Sequence, residues 1–133
     1  MIKRTITFID YNNIERTEDH YFHLTKAELA KMEMSTAGGY AEMITRIVQA
    51  KDAPAIMSVF EELIHKSYGV KTPDGRGFVK RKEDLEAFIQ TEAYSQLFMD
   101  LLTDTEFATE FINGIIPADL SEQAKITPFQ LNS

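Results

Sequence analysis

Residues 1–24 alternate between apolar and polar side chains, whereas later segments have the spacing of amphipathic helices. Ile6 and Phe8 share one face at the two-residue period of a strand, which predicts a β-strand over Ile2–Ile9. Turn-forming residues follow, and the alternation resumes over residues 15–24. The pattern predicts an N-terminal β-hairpin. Because an isolated hairpin is marginally stable in water, we expect it to lie against an apolar surface.

After the hairpin, apolar residues recur three and four positions apart, which predicts amphipathic helices. Capping boxes at 25–28 and 103–106 mark two predicted helix starts. Gly69 and Gly114 mark two predicted helix ends, because glycine readily adopts the left-handed conformation of a helix C-cap. Between them, Pro and Gly at 72–77 predict a small hairpin or an ordered loop.

These elements predict a mainly α fold, a small helical bundle with an N-terminal β-hairpin (α+β). A chain of 133 residues suffices for one cooperative domain. We expect a single globular domain over residues 1–116, with the hairpin at 1–24 and the helices at 25–116. Residues 117–133 are polar with two prolines, which predicts an extended or flexible C-terminal tail.

Charge and composition exclude several function classes. The sequence has 14 basic and 21 acidic residues, a net charge of −7, which disfavours binding to nucleic acid. Without cysteine, neither disulfides nor thiolate chemistry are available. No apolar run reaches the roughly 18 residues of a membrane span, so we expect a soluble, cytoplasmic protein without a membrane partner.

The spacing of the three histidines does not predict a metal site. His20 and His23 differ by an odd number of positions on a predicted strand and therefore lie on opposite faces. His65 follows Glu61 and Glu62 at helical spacing, which is more typical of a surface helix pair than of a metal ligand set. We expect no bound metal.

Catalytic and cofactor motifs are also missing from the pattern. Residues 75–77 (GRG) lack the spacing of a nucleotide-binding loop. The basic cluster at 80–82 is followed directly by acidic residues, as on a solvated helix entrance. No two carboxylates are placed to face each other across a substrate. We expect no catalytic residue and no cofactor, and therefore no enzyme.

The remaining signal is a surplus of apolar and aromatic side chains on the last two predicted helices. We hypothesise that part of this stripe binds a partner protein, and we assign six residues to the contact: Tyr94, Leu97, Phe98, Leu101, Phe107 and Phe111. The alternative is that the whole stripe is core. In that case, the partner surface would lie on the helix carrying Met57 or in the tail at 117–133.

The order of several short segments over residues 1–120 resembles the tail assembly chaperones of long-tailed (siphovirus-type) bacteriophages and prophages of Gram-positive hosts. The segments are EDHYFHLTKAEL at 18–29, STAGG at 35–39, KSYG at 66–69, DGR at 74–76, QTEAYSQLF at 90–98 and FINGIIP at 111–117.

The resemblance implies a non-enzymatic morphogenesis factor that keeps the tape measure protein soluble in the host cytoplasm and is not in the mature virion. It also implies a homo-oligomer and a frameshifted longer form that recruits the tail tube protein. Two alternatives stay open: an acidic phage-encoded inhibitor of a host protein, and a structural tail or connector protein.

Overall fold

The computed structural model of the protein describes residues 1–116, which contain four β-strands and six α-helices. The strands are β1 (Ile2–Ile9), β2 (Glu15–Phe22), β3 (Tyr68–Lys71) and β4 (Phe78–Val79). The helices are α1 (Lys26–Ser35), α2 (Tyr40–Ala50), α3 (Ala53–Ser67), α4 (Lys82–Ile89), α5 (Glu92–Thr103) and α6 (Thr105–Ile115). The predicted tail at 117–133 lies outside the described residues and stays a prediction.

The predicted N-terminal hairpin is present. β1 and β2 pair antiparallel in continuous register along all eight residues of each strand. Asp10 organises the turn, because its carboxylate accepts hydrogen bonds from the N–H groups of Asn12 and Ile14 and pairs with Arg16.

The sheet is larger than the predicted hairpin, because β3 pairs with β2 and β4 pairs with β3, giving the order β1-β2-β3-β4.

Gly69 was predicted to cap α3, and this was wrong. The helix ends at Ser67 and the backbone becomes extended at Tyr68. Gly69 lies in β3 under the ring of Phe78, where an added Cβ would be 2.6 Å from Phe78 Cε2. The glycine therefore permits a close approach and does not end the helix.

Side-chain hydrogen bonds cap the starts of α1 and α6, but only the cap of α1 is at the predicted residue. Thr25 and Glu28 form the predicted capping box of α1. The second predicted box, Thr103 with Glu106, is not formed, so this prediction was wrong. Asp104 is the N-cap of α6 and accepts from the N–H of Phe107, whereas Thr103 ends α5.

The end predicted for α6 at Gly114 is also wrong, because the helix continues to Ile115. The side chain of Ile2 packs against Gly114, where an added Cβ would lie 2.7 Å from Ile2 Cδ1. Glycine inside this helix allows close contact between α6 and the start of β1.

The core lies between one face of the sheet and the helices. Ile6, Phe8 and Phe22 of the hairpin are buried, and α5 packs across β1 and against α6 and α3. The hairpin thus lies against an apolar surface, as expected. The guanidinium of Arg4 lies 3.8 Å from the centre of the Phe107 ring and links β1 to α6.

Candidate partner-binding site

The six residues assigned to partner binding lie on α5 and α6, mostly in the core. Leu97 and Phe111 are 0% exposed, Leu101 is 2% exposed and Phe107 is 6% exposed. Tyr94 and Phe98 are partly buried and pack against this core. α5 is covered by the sheet, α3 and α6, so most of its apolar stripe has neighbours within the chain. That these six residues contact a partner stays a prediction.

Ring-to-ring contacts within the protein take up much of the aromatic surplus. Tyr68 at the start of β3 stacks on Phe88 of α4, with ring centroids 4.4 Å apart and planes 2° from parallel. Phe88 in turn meets the edge of Tyr94 at 5.7 Å. Phe22 and Phe111 meet edge to face at 5.5 Å. These geometries are favourable for aromatic pairs, so the aromatic area packs internally.

A polar contact also anchors Tyr94. Its hydroxyl lies 3.1 Å from Nε2 of His65 on α3. Burial, with a smaller contribution from the Glu61 carboxylate, raises the pKa of Tyr94. The hydroxyl therefore stays protonated at neutral pH and joins α5 to α3. His65, which the sequence placed in a surface cluster with Glu61 and Glu62, instead contacts α5.

Another surface offers exposed apolar side chains. A small cleft of about 10 Å³, room for about one water molecule, lies between α2, α3 and α6, and all of its lining side chains are apolar: Ile44, Ile47, Val48, Ile56, Val59, Phe60 and Ile112. We call it the α2–α3 cleft. Its floor is buried, whereas Val48 at its rim is 53% exposed. On α3, the neighbouring Met57 is 42% exposed.

The turn between α2 and α3 gives the cleft its shape. Lys51 adopts the left-handed conformation (φ 54°, ψ 37°), and its N–H donates to the carbonyls of Ile47 and Val48. Asp52 then caps α3 by accepting a hydrogen bond from the N–H of Ala55 at 3.2 Å. The chain thus reverses within two residues, which brings α2 and α3 together as antiparallel neighbours.

The exposed face of α3, which also carries Met57, is acidic. Glu61 lies four residues after Met57 and therefore on the same side of the helix. Glu61 and Glu62 are both exposed, and Glu62 forms an ion pair with Lys66. A partner segment that carries apolar residues next to basic ones would match this surface.

The described residues form no metal centre: within 1–116, no group of three or more His, Cys, Asp or Glu side chains could hold an ion. The ring of His20 packs on Phe88 at 4.7 Å, whereas His23 packs on Phe78 at 6.1 Å. Burial lowers the pKa of His20, and the nearby carboxylate of Glu18 opposes this shift. Over the same part of the chain, no helix is long and apolar enough to cross a bilayer.

The sequence analysis gave no indication of the cleft, although the apolar residues of α2 form a stripe along the helix. The one available signal was the width of that stripe: five apolar residues, Tyr40, Met43, Ile44, Ile47 and Val48, occupy an 11-residue helix. A stripe wider than one buried face leaves a side chain at its margin exposed.

Comparison with known proteins identifies the family. A protein-family model described as phage tail assembly chaperone matches residues 1–129. No curated protein and no solved structure gives a significant match. Because the family model covers nearly the whole sequence, this chain belongs to the phage tail assembly chaperone family.

Proposed function

We propose that this protein keeps the tape measure protein soluble during tail assembly by covering apolar helical segments of that client. Family membership supports a non-enzymatic role in tail assembly and favours it over a host-protein inhibitor or a structural connector. The exposed apolar side chains at and near the α2–α3 cleft are the observation that carries the client-binding part of the proposal. Val48 at its rim and Met57 on α3 are exposed beside a purely apolar lining, and such side chains can contact the apolar face of an amphipathic helix.

The charge of the protein fits the same role. A net charge of −7 keeps a complex with an apolar client dispersed. The acidic residues Glu61 and Glu62 on the exposed face of α3 would favour client segments that carry Lys or Arg next to their apolar residues. Each contact is small, so binding of a long client would depend on many copies acting together.

Further parts of the proposal concern assembly and location. We propose that the protein self-associates, acts in the host cytoplasm and is absent from the finished virion. A frameshifted longer form would add the contact to the tail tube protein. The assignment of Tyr94, Leu97, Phe98, Leu101, Phe107 and Phe111 to the partner contact also stays a proposal. Tyr94 and Phe98 are its most accessible members.

The test is co-expression of the tape measure protein with the chaperone and measurement of the soluble client. Val48→Glu places a charge at the rim of the cleft, whereas Val70→Glu makes the same change at an exposed valine of β3. Val48 and Val70 are 53% and 45% exposed, so both variants should stay folded. We expect Val48→Glu to lose most of the soluble client and Val70→Glu to retain it.

A second matched pair tests whether the surface continues along α3. Met57→Glu should reduce client solubility, whereas Met34→Glu, at a 60% exposed methionine of α1, should not. Equal client solubility with all four variants would reject the cleft as the binding surface. A tape measure protein that precipitates equally with and without the wild-type chaperone would reject the proposed function itself.

A further inference from the structure

β1 is the outermost strand of the sheet, with β2 on one side only. The backbone N–H of Asp10 donates to the carbonyl of Ile14 across the hairpin. In an antiparallel ladder such bonds recur at every second residue, so the even-numbered residues of β1 bond to β2. The N–H and C=O groups of Lys3, Thr5 and Thr7 therefore point away from β2. Within residues 1–116, no backbone hydrogen bond reaches them.

This edge has few of the features that prevent strand pairing. Natural edge strands are typically short, bulged or interrupted by proline. β1 has eight residues, no proline and an unbroken register with β2. Its charged side chains are Lys3, on the outward-facing odd-numbered positions, and Arg4 on the inner face, where Asp100 and the ring of Phe107 already engage the guanidinium. The strand can therefore accept a further strand along most of its length.

The residues along β1 are complementary to a second, antiparallel copy of the same strand. With Thr5 opposite Thr5 of the second copy, Lys3 lies opposite Thr7, and Met1 lies opposite Ile9. Met1 and Ile9 are 52% and 50% exposed in the single chain, and this register makes each cover the other. The two lysines are then four residues apart along the sheet, about 14 Å. In a parallel pair they would be adjacent and would repel each other.

Space for the added strand exists beside β1. An open groove of about 660 Å³ lies between the second half of β1 and α5. Phe8 and Ile9 line one wall, and Gln96 and Met99 line the other. Met99 is 53% exposed and would form an apolar floor under the incoming strand. In the register above, Ile2 of the second copy lies opposite Phe8, over this floor.

We propose that two copies of the protein pair through β1, antiparallel about Thr5, and form a continuous eight-stranded sheet. The proposal supplies an interface for the self-association included in the proposed function, and it does not depend on the identity of the client.

The first test removes one backbone donor at the centre of the interface. Thr5→Pro deletes the N–H that faces the second copy and leaves the ladder to β2 intact, because proline is tolerated on the free side of an edge strand. Thr5→Ala is the matched control, since both variants lose the hydroxyl hydrogen bond to Asp19. We expect the wild type and Thr5→Ala to sediment as dimers in sedimentation velocity experiments. We expect Thr5→Pro, with an unchanged circular dichroism spectrum, to dimerise at least about tenfold more weakly.

The second test uses the absence of cysteine from the sequence. Directly opposed residues of a hydrogen-bonded antiparallel pair have Cα atoms about 5.5 Å apart, which suits a disulfide. Thr5→Cys should therefore give a covalent dimer on mild oxidation. Thr17→Cys, on the same sheet face but on β2, should not, because three strand spacings across the sheet and four residues along it, each about 14 Å, would separate the two sulfurs by about 20 Å.

The two tests distinguish a dimer that forms through β1 from self-association through another surface. A wild-type protein that stays monomeric up to about 100 μM would overturn both the strand interface and the proposed self-association. Dimers that Thr5→Pro leaves unchanged, or faster cross-linking through Thr17→Cys than through Thr5→Cys, would overturn the strand interface alone. Neither readout involves the client, so the result leaves the proposed chaperone function to its own test.

Discussion

Leu101 and Leu102 are adjacent leucines of α5 that differ sharply in burial, and replacing each by alanine tests whether the α5 stripe is core. Leu101 is 2% exposed and Leu102 is 38% exposed. Both changes remove the same atoms from the same helix, and both gain the same small helix propensity of alanine. The difference between the two variants therefore isolates the effect of burial.

The expected magnitudes follow from the two environments. Truncating a buried leucine costs about 2–5 kcal/mol, since the lost contacts leave a cavity that relaxes only in part. Truncating Leu102 should cost less than about 1 kcal/mol, because much of its side chain is already in water. With an unfolding entropy of about 2.1 cal/mol/K per residue, each kcal/mol lowers the Tm of the described domain by about 4 °C. Leu101→Ala should lower the Tm by about 8–20 °C.

Thermal and urea unfolding monitored by circular dichroism measure both effects. We expect Leu101→Ala to unfold at clearly lower temperature and urea concentration than wild type, and Leu102→Ala to stay close to it. Equal shifts for the two variants, or an unchanged Tm for Leu101→Ala, would contradict the packing of α5 described above. A stable Leu101→Ala variant that loses the client would instead support the partner-binding assignment of this residue.

Three further predictions concern local structure. Gly69→Ala should cost about 1–3 kcal/mol in urea unfolding, because the new Cβ meets the Phe78 ring; combining it with Phe78→Ala should recover part of the loss. Asp104→Ala should destabilise α6 by about 1 kcal/mol, whereas Thr103→Ala should have little effect if Asp104 is the cap. Burial depresses the pKa of His20 in the folded state, so the unfolded chain binds the proton more readily. Stability should fall as pH drops below the ordinary histidine pKa of about 6.5, and His20→Gln should reduce that slope in pH-dependent unfolding.

The sequence was sufficient for elements determined by local pattern. The two-residue period predicted β1 with its bounds, and the capping box at Thr25 placed the start of α1. In each case, the residues that decide the conformation lie within a few positions of one another, so no tertiary contact is needed to identify them.

The errors arose where distant contacts decide the structure. Gly69 and Gly114 were assigned to helix ends on local grounds, yet their positions are determined by Phe78 and Ile2, which lie far away in sequence or beyond a turn. The pairing of β3 with β2 joins segments about 45 residues apart and leaves no periodic signal in either. This pairing brings Tyr68 into the sheet, where its ring stacks on Phe88, and Phe88 in turn contacts Tyr94.

The two proposed surfaces have no residue in common, because the cleft belongs to α2, α3 and α6 and the dimer interface belongs to β1. A dimer would therefore carry two free clefts. On a client with repeated apolar helical segments, the second contact becomes intramolecular, and linked contacts can strengthen binding by factors of about 10²–10⁴. We therefore expect Thr5→Pro to weaken client retention in the co-expression assay although it leaves the cleft intact, and Thr5→Ala to retain the client. If the two variants hold the client equally well while only one dimerises, self-association has a role other than avidity.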